Sequence, residues 1–169
     1  NAQLTNTLTP DLKVTPDLSK PGFIWNVFAN QANQINSRER TVDSLAGRVT
    51  DALGVLLENL ADTNAQGVAI AAASPLSSSN ATARFEIETV INLNNVGGGA
   101  IGNFSPDDQM PGLPATDFSG NGIAGEVISY LNLPAGLTRI GFVSDDAFWV
   151  TAGKVYDPLD AIFVGARRP

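Results

Sequence analysis

The chain has neither cysteine nor histidine. Their absence excludes disulfides, thiol chemistry, the usual zinc sites and every histidine-dependent triad or acid–base pair. Charge is scarce, at 16% of residues, and basic charge is scarcer: ten Lys and Arg against 17 Asp and Glu leave a net charge of −7. Nucleic-acid binding needs clustered Lys and Arg to meet phosphates, so this balance argues against it. Long hydrophobic runs are missing as well. A membrane-spanning helix needs about 18 or more apolar residues in a row, and the stretch from Gly67 to Ala73 is far too short.

At 169 residues the chain has the length of one domain, enough to bury a single core without staples. A hydrophobic content of 43% fits a globular protein, and 16 glycines with ten prolines suit many turns between short strands. The excess acid is local. Between Ser105 and Asp160 stand eight acids (Asp107, Asp108, Asp117, Glu126, Asp145, Asp146, Asp157, Asp160) and two bases, Arg139 and Lys154. These carboxylates serve either solubility or a hard cation such as calcium, which prefers oxygen ligands. The chain opens at Asn1-Ala2-Gln3 with no basic and hydrophobic leader, as expected of a mature exported protein after signal-peptide removal, though a trimmed chain would read the same.

Residues 1–21 are polar and punctuated by Pro10, Pro16 and Pro21, with Thr-Pro-Asp twice, at Thr9 and Thr15. Prolines at that spacing forbid a helix and predict an extended arm, with residues 22–169 as a single domain. Phe23 to Phe28 reads as a strand carrying Phe23, Trp25 and Val27 on one face. Val42, Leu45, Val49, Leu53, Leu56 and Leu60 recur at helical spacing. They predict a helix or broken helix between Arg40 and Ala61, packed on a sheet and weakened by Gly47 and Gly54.

Val68 to Ala73 and Arg84 to Leu93 read as strands, the second alternating Phe85, Ile87, Thr89 and Ile91 with Glu86 and Glu88. Asn94 to Gly122 is a long loop, and its Gly97-Gly98-Gly99 run lacks the Lys-Ser/Thr of a phosphate cradle. Strands are expected again at Glu126 to Leu133 and Ala161 to Val164. Between them, Thr138 to Val143 and Ala147 to Thr151 flank Ser144-Asp145-Asp146, which predicts a β-hairpin with carboxylates at its tip. The fold class is therefore mainly β, an antiparallel β-sandwich with one helix packed on it.

Five segments occur in an order similar to that of exported bacterial surface modules. They are Pro21-Gly22-Phe23 with Ser44-Leu45-Ala46-Gly47; Phe85-Glu86-Ile87 running into Val90-Ile91-Asn92-Leu93-Asn94; Gly102-Asn103-Phe104 with Pro111-Gly112-Leu113-Pro114; Ile123-Ala124-Gly125-Glu126 leading to Leu133-Pro134-Ala135-Gly136; and Ser144-Asp145-Asp146-Ala147-Phe148 ending at Val150-Thr151-Ala152-Gly153. Over about residues 21 to 165 the chain resembles the protective-antigen-like modules of planctomycete- and verrucomicrobium-type surface proteins. Ala147 stands where that pattern has glycine, and Val143 where it has asparagine. The resemblance implies a jelly-roll-like sandwich, possible calcium at Asp145 and Asp146, and glycan stacking on Trp149. It also implies further strands beyond Arg167-Arg168-Pro169, so that an incomplete sandwich exposes an edge for a partner strand.

Two functions are consistent with these residues, and neither is enzymatic, because no acidic pair sits in a catalytic motif. One is a structural subunit of an exported assembly, associating with other protein subunits at the cell envelope or outside the cell. The alternative is a calcium-dependent carbohydrate- or matrix-binding module.

Overall fold

The computed structural model describes residues 17–32, 35–63, 68–70, 82–95, 105–113, 121–153 and 162–167. Among these, eight strands and one helix follow the order β1 (Phe23–Ala29), α1 (Arg38–Leu45), β2 (Val68–Ile70), β3 (Thr82–Ile87), β4 (Leu93–Asn94), β5 (Asp108–Gln109), β6 (Ile123–Ile128), β7 (Phe148–Ala152) and β8 (Ile162–Arg167). The main sheet runs β2-β3-β1-β6 with every neighbour antiparallel. β4 and β5 form a short parallel pair, and β7 and β8 a separate antiparallel pair. The fold is thus mainly β with one helix, in small separate sheets.

β1 organises the main sheet because its two faces are both apolar. Trp25 and Val27 join Ala83 and Phe85 of β3 on one face, where Ala61, Leu93, Met110 and Ile123 cover them. Phe28 turns to the other face and packs with Val49, Leu57, Ala124 and the α1 residue Leu45. Burial of such side chains is the main source of stability, at about 25 cal/mol per Å² of apolar surface. Both neighbours of β1 end where it ends: Phe23 pairs with Ile87, and Ile24 with Ile128. Pro21 precedes that end and has no N–H to give. The strands expected to continue to Leu93 and Leu133 therefore stop at Ile87 and Ile128 for lack of a partner.

The helix is shorter than its apolar spacing predicts. Ser37 caps its start, its side chain accepting from the Arg40 amide at 3.1 Å. Its end is a Schellman turn: the Gly47 amide donates to Ser44 O and the Arg48 amide to Asp43 O, with Gly47 at φ +64°. The Arg48 guanidinium closes on the Asp43 carboxylate at 2.9 Å. Beyond it the chain doubles back rather than continuing. Asp51 Oδ1 accepts from the Leu53 and Val55 amides, and Thr50 bridges to Leu56. Val49 and Leu57 stay buried while Leu53, at the tip, is 87% exposed. The helical period was real only as far as Gly47.

The long loop is partly structural. Its described residues supply β5, the Met110 and Leu113 packing, and Pro111 O, which accepts from the Trp25 indole at 3.0 Å. Of the expected arm, residues 1–16 lie outside the described residues, as do the Gly97-Gly98-Gly99 run and the remainder of the Val68 to Ala73 strand. Asp17 to Lys20 forms an exposed turn closed by the Lys20 amide on Asp17 O at 3.2 Å.

Candidate functional site

The C-terminal third meets the start of α1 at the bend that precedes β7. Asn36 Nδ2 donates to Asp146 Oδ1 at 3.2 Å, and the Arg38 guanidinium lies 4.7 Å from the Trp149 ring centroid. Phe163 of β8 sits against the same indole, centroid to centroid 4.5 Å. Trp149 is half-exposed between these two neighbours. The Arg38 charge over the ring links the β7–β8 ribbon to the helix, while the Phe163 ring packs the two strands of the ribbon on each other.

The hairpin expected across Ser144-Asp145-Asp146 takes a different form. Residues 137–144 contain no strand, and β7 pairs with β8 instead, Phe148 opposite Arg167 and Ala152 opposite Ile162. The favoured two-residue hairpin turns carry glycine at one of their central positions, and 144–147 holds none. The two flanks still touch, since the Phe142 and Phe148 rings are 5.9 Å apart. Arg167 Nη1 also donates to Ser144 O, tying the end of β8 to the bend.

Asp145 is exposed at this bend, and Asp146 is the carboxylate engaged by Asn36. Asp145, Asp146 and Trp149 are thus neighbours along one bend and strand. Among the described residues no group of three or more Asp, Glu, His or Cys side chains converges to hold a metal ion. Nor is any helix among them long and apolar enough to cross a membrane.

The larger feature is apolar exposure. Leu131, Leu133, Leu137, Ile140, Phe142 and Val143 are all exposed on the chain leading to the bend. Ile162, Phe163 and Val164 are exposed in succession on β8. Leu137 is 92% exposed and Ile162 72%, and side chains of this kind are ordinarily withdrawn from water. A two-stranded ribbon is marginal by itself in water, and β7 and β8 each have one edge unpaired among the described residues.

Sequence reasoning singled out the acidic bend but not Asn36, Arg38 or Phe163. No local signal marks Asn36 or Arg38, because Asn36 and Asp146 are 110 positions apart. The run Ile162-Phe163-Val164 did carry a signal: three apolar residues in a row fit a strand without a solvated face. The chain matches no family model, no curated protein and no solved structure.

Proposed function

We propose that this chain is a non-catalytic structural subunit of an exported assembly, built on a protective-antigen-like β-sandwich. It associates with other protein subunits at the cell envelope or outside the cell. The apolar surface of Leu131 to Val143 and of β8 carries this reading. Water disfavours such a surface, and burial against a protein partner is the direct remedy. The edges of β7 and β8 that have no partner strand among the described residues add a backbone component, since an incoming strand finds N–H and C=O groups to pair with.

Sedimentation velocity at rising protein concentration tests it. Association is expected, insensitive to salt because the surface is apolar rather than charged. The double substitution Leu137→Glu with Ile162→Glu is expected to abolish it without changing the far-ultraviolet spectrum. A chain that remains a strict monomer at high concentration overturns the reading.

A second reading is favoured by the adjacency of Asp145, Asp146 and the half-exposed Trp149: calcium held by the carboxylates, and a glycan stacked on the indole. Arg38 and Phe163 already occupy much of that ring, so the first reading is preferred. Calorimetry with calcium and a glycan panel separates the two. Binding that disappears in Asp145→Ala with Asp146→Ala would favour the second.

A further inference from the structure

The side of α1 that carries Arg40 borders a cavity of about 240 Å³, lined by Ile35, Arg40, Asp43, Arg48, Val49 and Thr50. Its two cations are in different situations. Arg48 grips Asp43 through Nε at 3.2 Å and Nη2 at 2.9 Å, so that pair is neutral. Arg40 has no carboxylate partner among the described residues. Its Nη2 reaches Asn30 O only at 3.5 Å, and its Nε is out of solvent with no acceptor among the described residues. An arginine in a protein keeps its charge, and burial here lowers its proton affinity only from a very high value. The outcome is a partly desolvated cation at the wall of an open cavity, without a counter-ion among the described residues.

We propose that this cavity binds a small organic carboxylate. Arg40 is its counter-ion, and Ile35 with Val49 lies against its apolar part. Because Nε is out of solvent, the Nη edge of the guanidinium is the one that faces a ligand, and its two N–H donors match the two oxygens of a carboxylate. Thr50 also lines the cavity wall. The Asp43 carboxylate does not compete for Arg40 because Arg48 already neutralises it.

Butyrate, acetate and inorganic phosphate are the probes, read by the Nε–Hε resonance of Arg40 in a ¹H–¹⁵N spectrum. Butyrate is expected to shift this resonance saturably and more tightly than acetate, with phosphate weaker than both. Arg40→Gln should weaken butyrate binding about tenfold or more, the cost of removing one member of a partly desolvated ion pair. Ile35→Glu places a competing carboxylate at the mouth from an exposed position, so it leaves the fold intact and should weaken binding even if Arg40→Gln does not fold. A linear, non-saturating response to butyrate overturns the proposal. So does saturable binding of phosphate alone, or butyrate binding unchanged in Ile35→Glu.

Discussion

The guanidinium of Arg38 lies over the indole of Trp149, joining the first turn of α1 to a strand more than a hundred residues later. With the Asn36–Asp146 hydrogen bond it fixes the C-terminal ribbon against the helix. A cation over a partly exposed ring contributes about 0.5–1 kcal/mol. Arg38→Ala should therefore speed amide exchange in β7 by about two- to fivefold and leave β1 unchanged. In ¹⁹F spectra of 5-fluorotryptophan protein, which has two tryptophans, the Trp149 signal should move and the Trp25 signal should not. Equal movement of both would show that the contact is not local.

Gly125 makes room for Trp25. A Cβ at position 125 would come far inside van der Waals contact with the six-membered ring of Trp25, on the neighbouring strand β1. Gly125→Ala must therefore displace the ring and loosen its 3.0 Å bond to Pro111 O. Overpacking of this kind costs about 1–3 kcal/mol. The urea midpoint should fall accordingly. The same substitution should cost less in a Trp25→Phe background, where the smaller ring leaves space. Additive losses in the double-mutant cycle would contradict the steric explanation.

Asn59 splices a non-helical segment onto the end of β1. Its Oδ1 accepts from the Ala29 amide at 2.9 Å and the Ala61 amide at 3.1 Å, while Nδ2 donates to Val27 O at 3.1 Å. Ala29 and Val27 are fully buried, so water cannot replace these bonds. Asn59→Ala should destabilise by about 1–3 kcal/mol for each buried group left unpaired, read by denaturant unfolding. Stability within error of the parent would show that the segment re-forms those bonds another way.

Asp17 reports on the exposed turn before β1. Its carboxyl is held below the ordinary value of 3.8, first by the Ser19 hydroxyl, then by the Ser19 amide, with the charge of Lys20 a smaller contribution. A depressed folded value means that the stabilisation is present above the unfolded pKa and lost as pH falls through the folded one. That window lies on the acid side of the usual aspartate range. Ser19→Ala should raise the Asp17 pKa in a carboxyl ¹³C titration; an unchanged value would mean that the turn does not persist in solution.

The strands of the main sheet were legible because each has alternation or a continuous apolar run that burial rewards locally. Phe23, Trp25 and Val27 against Ile24, Asn26 and Phe28 is such a pattern, and so is Phe85 and Ile87 against Glu86. Strand ends were not legible, since Ile87 and Ile128 stop where β1 stops and that boundary belongs to a partner. The apolar spacing from Val42 to Leu60 predicts a helix or broken helix between Arg40 and Ala61. Two glycines at positive φ, Gly47 and Gly54, let the chain fold back after Leu45 and still bury Val49 and Leu57.

The candidate site divides in the same way. Its acidic bend and its tryptophan could be read from residues 144 to 149, because short-range composition marks turns and strands. Which strand pairs with β7, and what lies against Trp149, could not. Strand pairing and ring contacts compare all available partners at once, and the winners here, β8, Phe163 and Arg38, stand far from the bend or carry no mark of their own. Sequence by itself determined a β-rich, acidic chain without histidine or cysteine chemistry. Only tertiary structure decided that Leu131 to Val143 and β8 leave their apolar side chains in water, because exposure is a property of what fails to pack against a residue, and no local pattern records that.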